Sequence, residues 1–483
     1  MKTPSLRSAL LSVIALAGAA NLVAAETALL VENGLVFTMK APREEPYVGY
    51  VAIGSDGKIQ EVGRGSPPPT LKAKAVLDAS GKFVTPGFIS AHSHIWQSAN
   101  RGLGASSTLF GWITAFSRYT EASTPEDLYW YTLHGCLDFL KSGITSAYNF
   151  TFDGSRWTGY ENSVPAPIPG PWEQEQFKGA ADSGMRFIHS FSIPYYETPE
   201  KNHAKVVEFI NFTKQYAGNP GFLKLSIQGN VAFMDQKSWA FTEAAYMKEF
   251  GLDNEMHMFE PPDGLNQREK FKWLEEAGML GPQLFFGHFI HTTPEIVRKC
   301  GAAGCNMTWQ PLSNGRLGSG IADIPAYLKA GIQVGMGVDD QAASDVPDPF
   351  ENMRTGLYAI RDKYENASIL TPYDVLKFHT IGSAVVTHVA DKVGSLEVGK
   401  YGDFLIINPR DRDVGPVYDP YATLVLACTQ MNLEQVYVGG KLVSQRGKII
   451  GKDFDAVSAE VHRRAEAVRA RVDAEPPKER QGQ

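Results

Sequence analysis

Histidines carry the first chemical signal. His92 and His94 stand one residue apart in VTPGFISAHSHIWQSANR, residues 84–101. Along a strand, side chains at i and i+2 point the same way, so both imidazoles can face one point, as two ligands of a metal would. Matching partners stand at the ends of later apolar runs: His257 in DNEMHMFE, His288 in LFFGHFI and Asp339 in IQVGMGVDD. Three neutral imidazoles and one carboxylate suit a single borderline divalent ion, zinc best, with iron(II) and manganese(II) as the other candidates. Such a site keeps a position open for water, whose pKa the ion lowers towards about 7. A proton carrier is also needed. Glu260, three residues after His257, can take a proton from that water and pass it to a leaving group. His288 can hydrogen-bond the water or a developing oxyanion. A lone buried His or Asp is most often structural, but five such residues at corresponding places point to a metal site.

The elements that must position them form a regular series. FISAHSH, ITSAYNF, RFIHSFSI, FLKLSIQGN, DNEMHMFE, LFFGHFI, GCNMTWQP and IQVGMGVDD are eight short apolar runs, each followed by a helical pattern. Eight strands alternating with helices predict a (β/α)₈ TIM barrel over residues 86–390. In such barrels chemistry gathers at the C-terminal strand ends, where these residues lie.

Both flanks read differently. Residues 26–85 and 391–451 show apolar alternation broken by N-G, D-G and S-G turns, so the two segments predict one small β-sandwich built from both ends of the chain. Residues 452–483 read as a helix with alternating charges, followed by a polar tail. Residues 1–25 have a basic start (Lys2, Arg7), an apolar run and a small-residue site at Val23-Ala24-Ala25. That is the pattern of a cleaved export signal, which implies work in a periplasm or outside the cell. No later run is long enough for a stable membrane span.

Composition excludes other classes. The net charge is −7 over 483 residues, with no basic stripe, which argues against a nucleic-acid partner; the expected partner is a small-molecule substrate. Of four cysteines, Cys300 and Cys305 bracket a short turn. They read equally as a disulfide and as buried thiols, and no C-x-x-C pair exists for a thiolate zinc site.

Several motifs carry a resemblance. PGFISAHSH, QPLSNGRLGSGIADIPAYLKAGIQVGMGVDD, GVDDQAASD and VGSLEVGKYGDFLIINP are similar to signature segments of the amidohydrolase superfamily. Within it, the chain resembles the branch of cytosine, guanine and adenosylhomocysteine deaminases and triazine hydrolases, from about Leu29 to Gly451. The resemblance implies a metal-dependent hydrolase of carbon–nitrogen bonds other than peptide bonds, acting on an amino-substituted heterocycle. Amide, carbamate and carbon–halogen hydrolysis are alternatives, and an inactive binding relative is a further one. It also implies one metal on His92, His94, His257 and Asp339, with Glu260 as proton shuttle and His288 on water or substrate. Relatives place substrate contacts at the positions of Gln97 and Arg101. Trp309 and Gln310 close the seventh strand, where an indole could stack on a flat ring or pack in the core. Asp340 could equally meet substrate or cap its loop. Glu255 departs from the family, whose fifth strand often reads HxHxxE. Lys224 sits where two-metal members carry a carboxylated lysine, although a single metal is preferred. Family members often dimerise.

Overall fold

The computed structural model describes residues 26–156, 166–261 and 266–474. The export-signal reading of residues 1–25 and the polar tail from residue 475 lie outside the described residues.

The barrel strands are β1 (Phe88–Ser90), β2 (Ile144–Phe150), β3 (Arg186–Ser192), β4 (Phe222–Gly229), β5 (Asp253–Met258), β6 (Leu284–His288), β7 (Asn306–Trp309) and β8 (Val334–Met336). They hydrogen-bond in that order, every pair parallel. The circle closes between β8 and β1, where the Ala91 N–H donates to the Met336 carbonyl at 2.9 Å. Just beyond, Ser93 and Asp339 form a parallel bridge.

Alternation sorts the strand residues. Along β3, Phe187 and Phe191 face outward into the helix layer, where Phe187 meets Phe177 and Phe191 meets Phe209. Ile188, on the other face, joins Tyr148 and Phe285 inside the barrel. Thr-Pro pairs start the outer helices. In Pro125–Lys141, Thr124 and Asp127 form a capping box, and in Pro294–Ala303 the Thr293 side chain accepts from Ile296.

The two ends of the chain build the second unit together. Thr27–Val36 pairs with Tyr47–Gly54 along one side and with Ala73–Asp78 and Phe83–Pro86 along the other. Phe83–Pro86 then pairs antiparallel with Phe404–Ile407, which joins the C-terminal strands to the N-terminal ones in one nine-stranded sheet. The sheet wraps its own core of Leu29, Val31, Val51, Ile53, Phe404 and Ile406.

The terminal helix Phe454–Ala474 buries Val457, Val461, Val468 and Val472. It lies along Pro125–Lys141, where Arg464 and Arg471 both pair with Asp127 (2.9 and 3.1 Å). All four cysteines are buried free thiols, so Cys300 and Cys305 take the unpaired reading. No helix among the described residues is long and apolar enough to cross a membrane.

One ion pair joins the two units at the N-terminal end of the barrel. Arg186, the first residue of β3, forks onto Asp403 with bonds of 2.6 and 2.9 Å, and both side chains are almost wholly buried. Arg186 also stacks on Tyr401 at 3.5 Å, and Asp403 accepts the Gly439 N–H at 2.7 Å. Removing one partner strands the other charge. Asp403→Ala is therefore expected to cost about 3–5 kcal/mol in chemical denaturation.

Candidate active site

Five predicted residues meet where the C-terminal ends of β1, β5, β6 and β8 converge. The ring nitrogens of His92, His257 and His288 lie within 4.8 Å of one another, and so do the donor atoms of His92, His94 and Asp339. His94 Nε2 and His257 Nε2 approach to 3.0 Å. Asp339 Oδ1 stands 3.7 Å from His92 Nε2 and 3.8 Å from His94 Nε2. His92 Nε2 is buried with no hydrogen-bond partner. Ligands on a tetrahedral zinc stand about 3.3 Å apart, so the donor set and its spacing fit a divalent ion.

The backbone bends to achieve this. His288 and Asp339 both adopt left-handed conformations (φ 65° and 63°), as does Phe259 just before Glu260 (φ 57°). Each costs about 1–2 kcal/mol for an ordinary L-residue, and such outliers gather at functional sites.

Electrostatics suits ligation. Burial, followed by the charge of neighbouring histidines, holds His94, His257 and His288 well below the usual imidazole range, so their rings are neutral. Burial also opposes charge on His92, but the Glu255 carboxylate outweighs it and raises that pKa. The contact behind this is a 2.7 Å bond from His92 Nδ1 to Glu255 Oε1. Thr308 Oγ1 donates to the same oxygen at 2.5 Å. Glu255 therefore fixes the proton on Nδ1 and turns Nε2 towards the cage.

Glu260 sits beside the cage. Burial first, and the charge of Asp339 second, push its carboxyl up to about 8, so a proton is held there at neutral pH. Its Oε1 accepts from Ser319 Oγ at 3.0 Å, while Oε2 lies 3.5 Å from His288 Nε2. The Asn314 amide donates to His288 Nδ1 at 2.7 Å, which leaves the ring proton on Nε2.

The cage opens into a cleft with about 1130 Å³ of empty space, part of it continuous with solvent. Gln97, Gln228 and Asn230 supply polar lining. Trp96, Trp112, Phe116 and Phe152 form an apolar wall, with Trp112 and Phe116 rings 4.5 Å apart.

Of the predicted substrate contacts, Gln97 lines this cleft and three others do not. Arg101 is drawn away by Asp138 and by the Asp345 carbonyl, to which its Nε donates at 3.0 Å. Trp309 is a core residue, buried against Gly356. Asp340 is fully buried, and its Oδ1 accepts from the Ala342 and Ala343 N–H groups at 2.5 and 2.7 Å, capping its own loop. Gln310 accepts the His288 N–H at 2.9 Å, a supporting role. Lys224 lies at the opposite end of the barrel, paired with Asp253, the first residue of β5, so it offers no second metal position. Glu255, Asn314 and Ser319 were not predicted as supports. The signal for Glu255 was available, since it stands two residues before His257 and shares its face of the strand.

The amidohydrolase family profile matches residues 83–443. The chain belongs to the amidohydrolase family. It is 24% identical to a 5-methylthioadenosine/S-adenosylhomocysteine deaminase of Pelotomaculum thermopropionicum, over 90% of this chain and 98% of that protein. It is 25% identical to a 5'-deoxyadenosine deaminase of Methanosarcina acetivorans, over 92% and 99%. Among solved structures, a zinc-bound adenosine deaminase from Xanthomonas campestris superposes with a TM-score of 0.79 at 18% identity, covering 92% of this chain and 99% of that one. A zinc complex of atrazine chlorohydrolase from Arthrobacter aurescens gives 0.78 at 20%, covering 90% and 100%. The protein is thus an amidohydrolase-type enzyme acting on carbon–nitrogen bonds.

Glu255→Gln keeps the shape of this support and removes its charge. Metal affinity, read by chelator competition, is expected to fall about 10–100-fold. An unchanged affinity would show that His92 needs no such partner.

Proposed function

We propose that this amidohydrolase deaminates an adenosine-like aminated ring with one zinc ion per chain. The observation that carries the reading is a proton-holding Glu260 beside a His/Asp cage, at the floor of a cleft with an aromatic wall. The deaminase relatives, aligned over nearly their whole length, support the same substrate class.

His92, His94, His257 and Asp339 would hold the ion, which when bound makes a water acidic enough to act as nucleophile at neutral pH. Glu260 supplies the proton that the leaving nitrogen requires and recovers one from the attacking water, and its bond from Ser319 fixes the carboxyl for that transfer. His288 Nε2–H donates towards the place where negative charge develops, with Asn314 holding the tautomer. Gln97 offers its amide to the ring edge. Trp96, Trp112, Phe116 and Phe152 provide a surface for the ring to stack on and keep water from the floor of the cleft.

Ammonia release from adenosine, 5'-deoxyadenosine, an aliphatic amide and a chlorinated triazine tests the reading. The expected result is ammonia from the nucleosides alone. Halide release without ammonia would replace deamination by dehalogenation. Glu260→Gln should retain its metal and lose about 10²–10⁴-fold in kcat.

Export is part of the proposal. The first described strand, Thr27–Val36, begins just after the small-residue site, so cleavage there would leave every described strand intact. Terminal sequencing of the periplasmic fraction should read a chain starting at Glu26. A full-length chain confined to the cytoplasm would refute it.

A further inference from the structure

The apolar wall of the cleft is carried by the helix Leu109–Glu121, whose Leu109, Trp112, Ile113 and Phe116 line it. This helix hangs from a loop, residues 100–108, that is not part of the barrel. The far end of the helix is held by the terminal helix, where Arg118 donates to the Val472 carbonyl at 3.4 Å, and the position of its near end over the cage depends on what holds that loop.

Two charged residues from other barrel loops do so. Arg316 belongs to the short helix Pro311–Leu317 after β7. Its Nη1 and Nη2 donate to the carbonyls of Gly104 and Leu103 at 3.2 and 3.0 Å, and its Nε donates to Asp345 Oδ2 at 3.1 Å. Asp345 lies in the loop after β8, in a left-handed conformation (φ 62°). Its Oδ1 accepts the Gly102 N–H at 2.7 Å, and its carbonyl accepts from Arg101 Nε at 3.0 Å. Below these contacts, Trp112 Nε1 donates to the Ala342 carbonyl at 3.1 Å, and Leu317 joins Trp96 and Trp112 in one cluster.

The loops after β1, β7 and β8 are therefore tied at one point. These same loops carry His94, the Asn314 and Ser319 supports, and Asp339. A lone exposed ion pair contributes little, but here the guanidinium also closes two backbone carbonyls and the carboxylate closes a backbone N–H, so the pair fixes a loop conformation.

We propose that Arg316 and Asp345 are positioning residues that set the height of the Trp112–Phe116 wall above the metal cage, and so determine how tightly a flat ring is gripped. Neither residue lines the cleft. Cutting the clasp leaves the cage and Glu260 in place and lets the wall lift. The ground state and the transition state both lose the stacking contact, so the effect belongs in KM rather than in kcat.

The proposal rests on the deaminase reading only for its kinetic assay. Its test pairs steady-state kinetics on the best nucleoside with hydrogen exchange of the holoenzyme. For Arg316→Ala, KM is expected to rise about tenfold, with kcat within about twofold and metal content unchanged. Amides of residues 102–121 should exchange about tenfold faster, while those of 253–260 keep their protection. Asp345→Asn should show the same pattern more weakly, which keeps the question open to measurement if Arg316→Ala folds poorly. Arg316→Lys should restore part of the KM, since one donor returns. Unchanged exchange over 102–121 in both variants would overturn the clasp, and so would a loss in kcat with KM unaltered. If the native enzyme releases ammonia from no nucleoside, the deaminase reading fails while the exchange data still decide the clasp.

Discussion

Barrel closure is the constraint on which the site depends. β1 and β8 meet through few bonds, and the residues that make them border the candidate metal site or belong to it. The His94 N–H donates to the Asp339 carbonyl at 3.2 Å, and the Val338 N–H donates to Ser90 Oγ at 3.0 Å. Two residues of the candidate metal site are thus held by a backbone bond between them before any side chain is considered. The approach is close enough to dictate residue type. A Cβ on Gly337 would fall 2.5 Å from the His92 carbonyl oxygen, and one on Gly287 would fall 2.7 Å from the His92 ring. Both positions require glycine because His92 fills the space.

The second constraint is electrostatic. Four imidazoles and three carboxylates are gathered in a place nearly without solvent, which is costly unless charges are matched or absent. The protein meets this cost by keeping most of the rings neutral, bonding Glu255 to His92 and leaving a proton on Glu260. The same arrangement that makes the groups tolerable when buried makes them serviceable as ligands and acid. Local support comes from β7 and its loop: Thr308 braces Glu255, Asn314 braces His288 and Ser319 braces Glu260.

The barrel, the terminal sheet and the clustering of His92, His94, His257 and Asp339 were legible because each follows from a short-range rule. Apolar runs alternate with helices, chemistry sits at strand ends, and His92 and His94 stand one residue apart just beyond the end of β1. What stayed hidden depends on where loops travel. Arg101 follows the H-x-H motif by a few residues yet turns away to Asp138. Trp309 closes a strand beside the site yet points into the helix layer, because the strand's alternation sends it outward. Conversely, Phe116 lies outside every motif and reaches the cleft because its helix folds back over it. The Arg316–Asp345 tie has no sequence signature, since it is made by side chains of the loops after β7 and β8 to backbone groups of the loop after β1.

The join between the two ends of the chain bears on how the molecule comes to be folded. Phe83–Pro86 is the hinge strand of the terminal sheet, with Thr27–Val36 on one side and Phe404–Ile407 on the other. During synthesis its second edge stays open until nearly the whole barrel has emerged, because its partner lies on the far side of all eight barrel strands. Pairings of such long sequence separation form slowly, and an open strand edge invites wrong partners meanwhile. For this chain, the terminal sheet cannot be completed until residues 404–407 have been made, and until then Phe83–Pro86 keeps an unpaired edge.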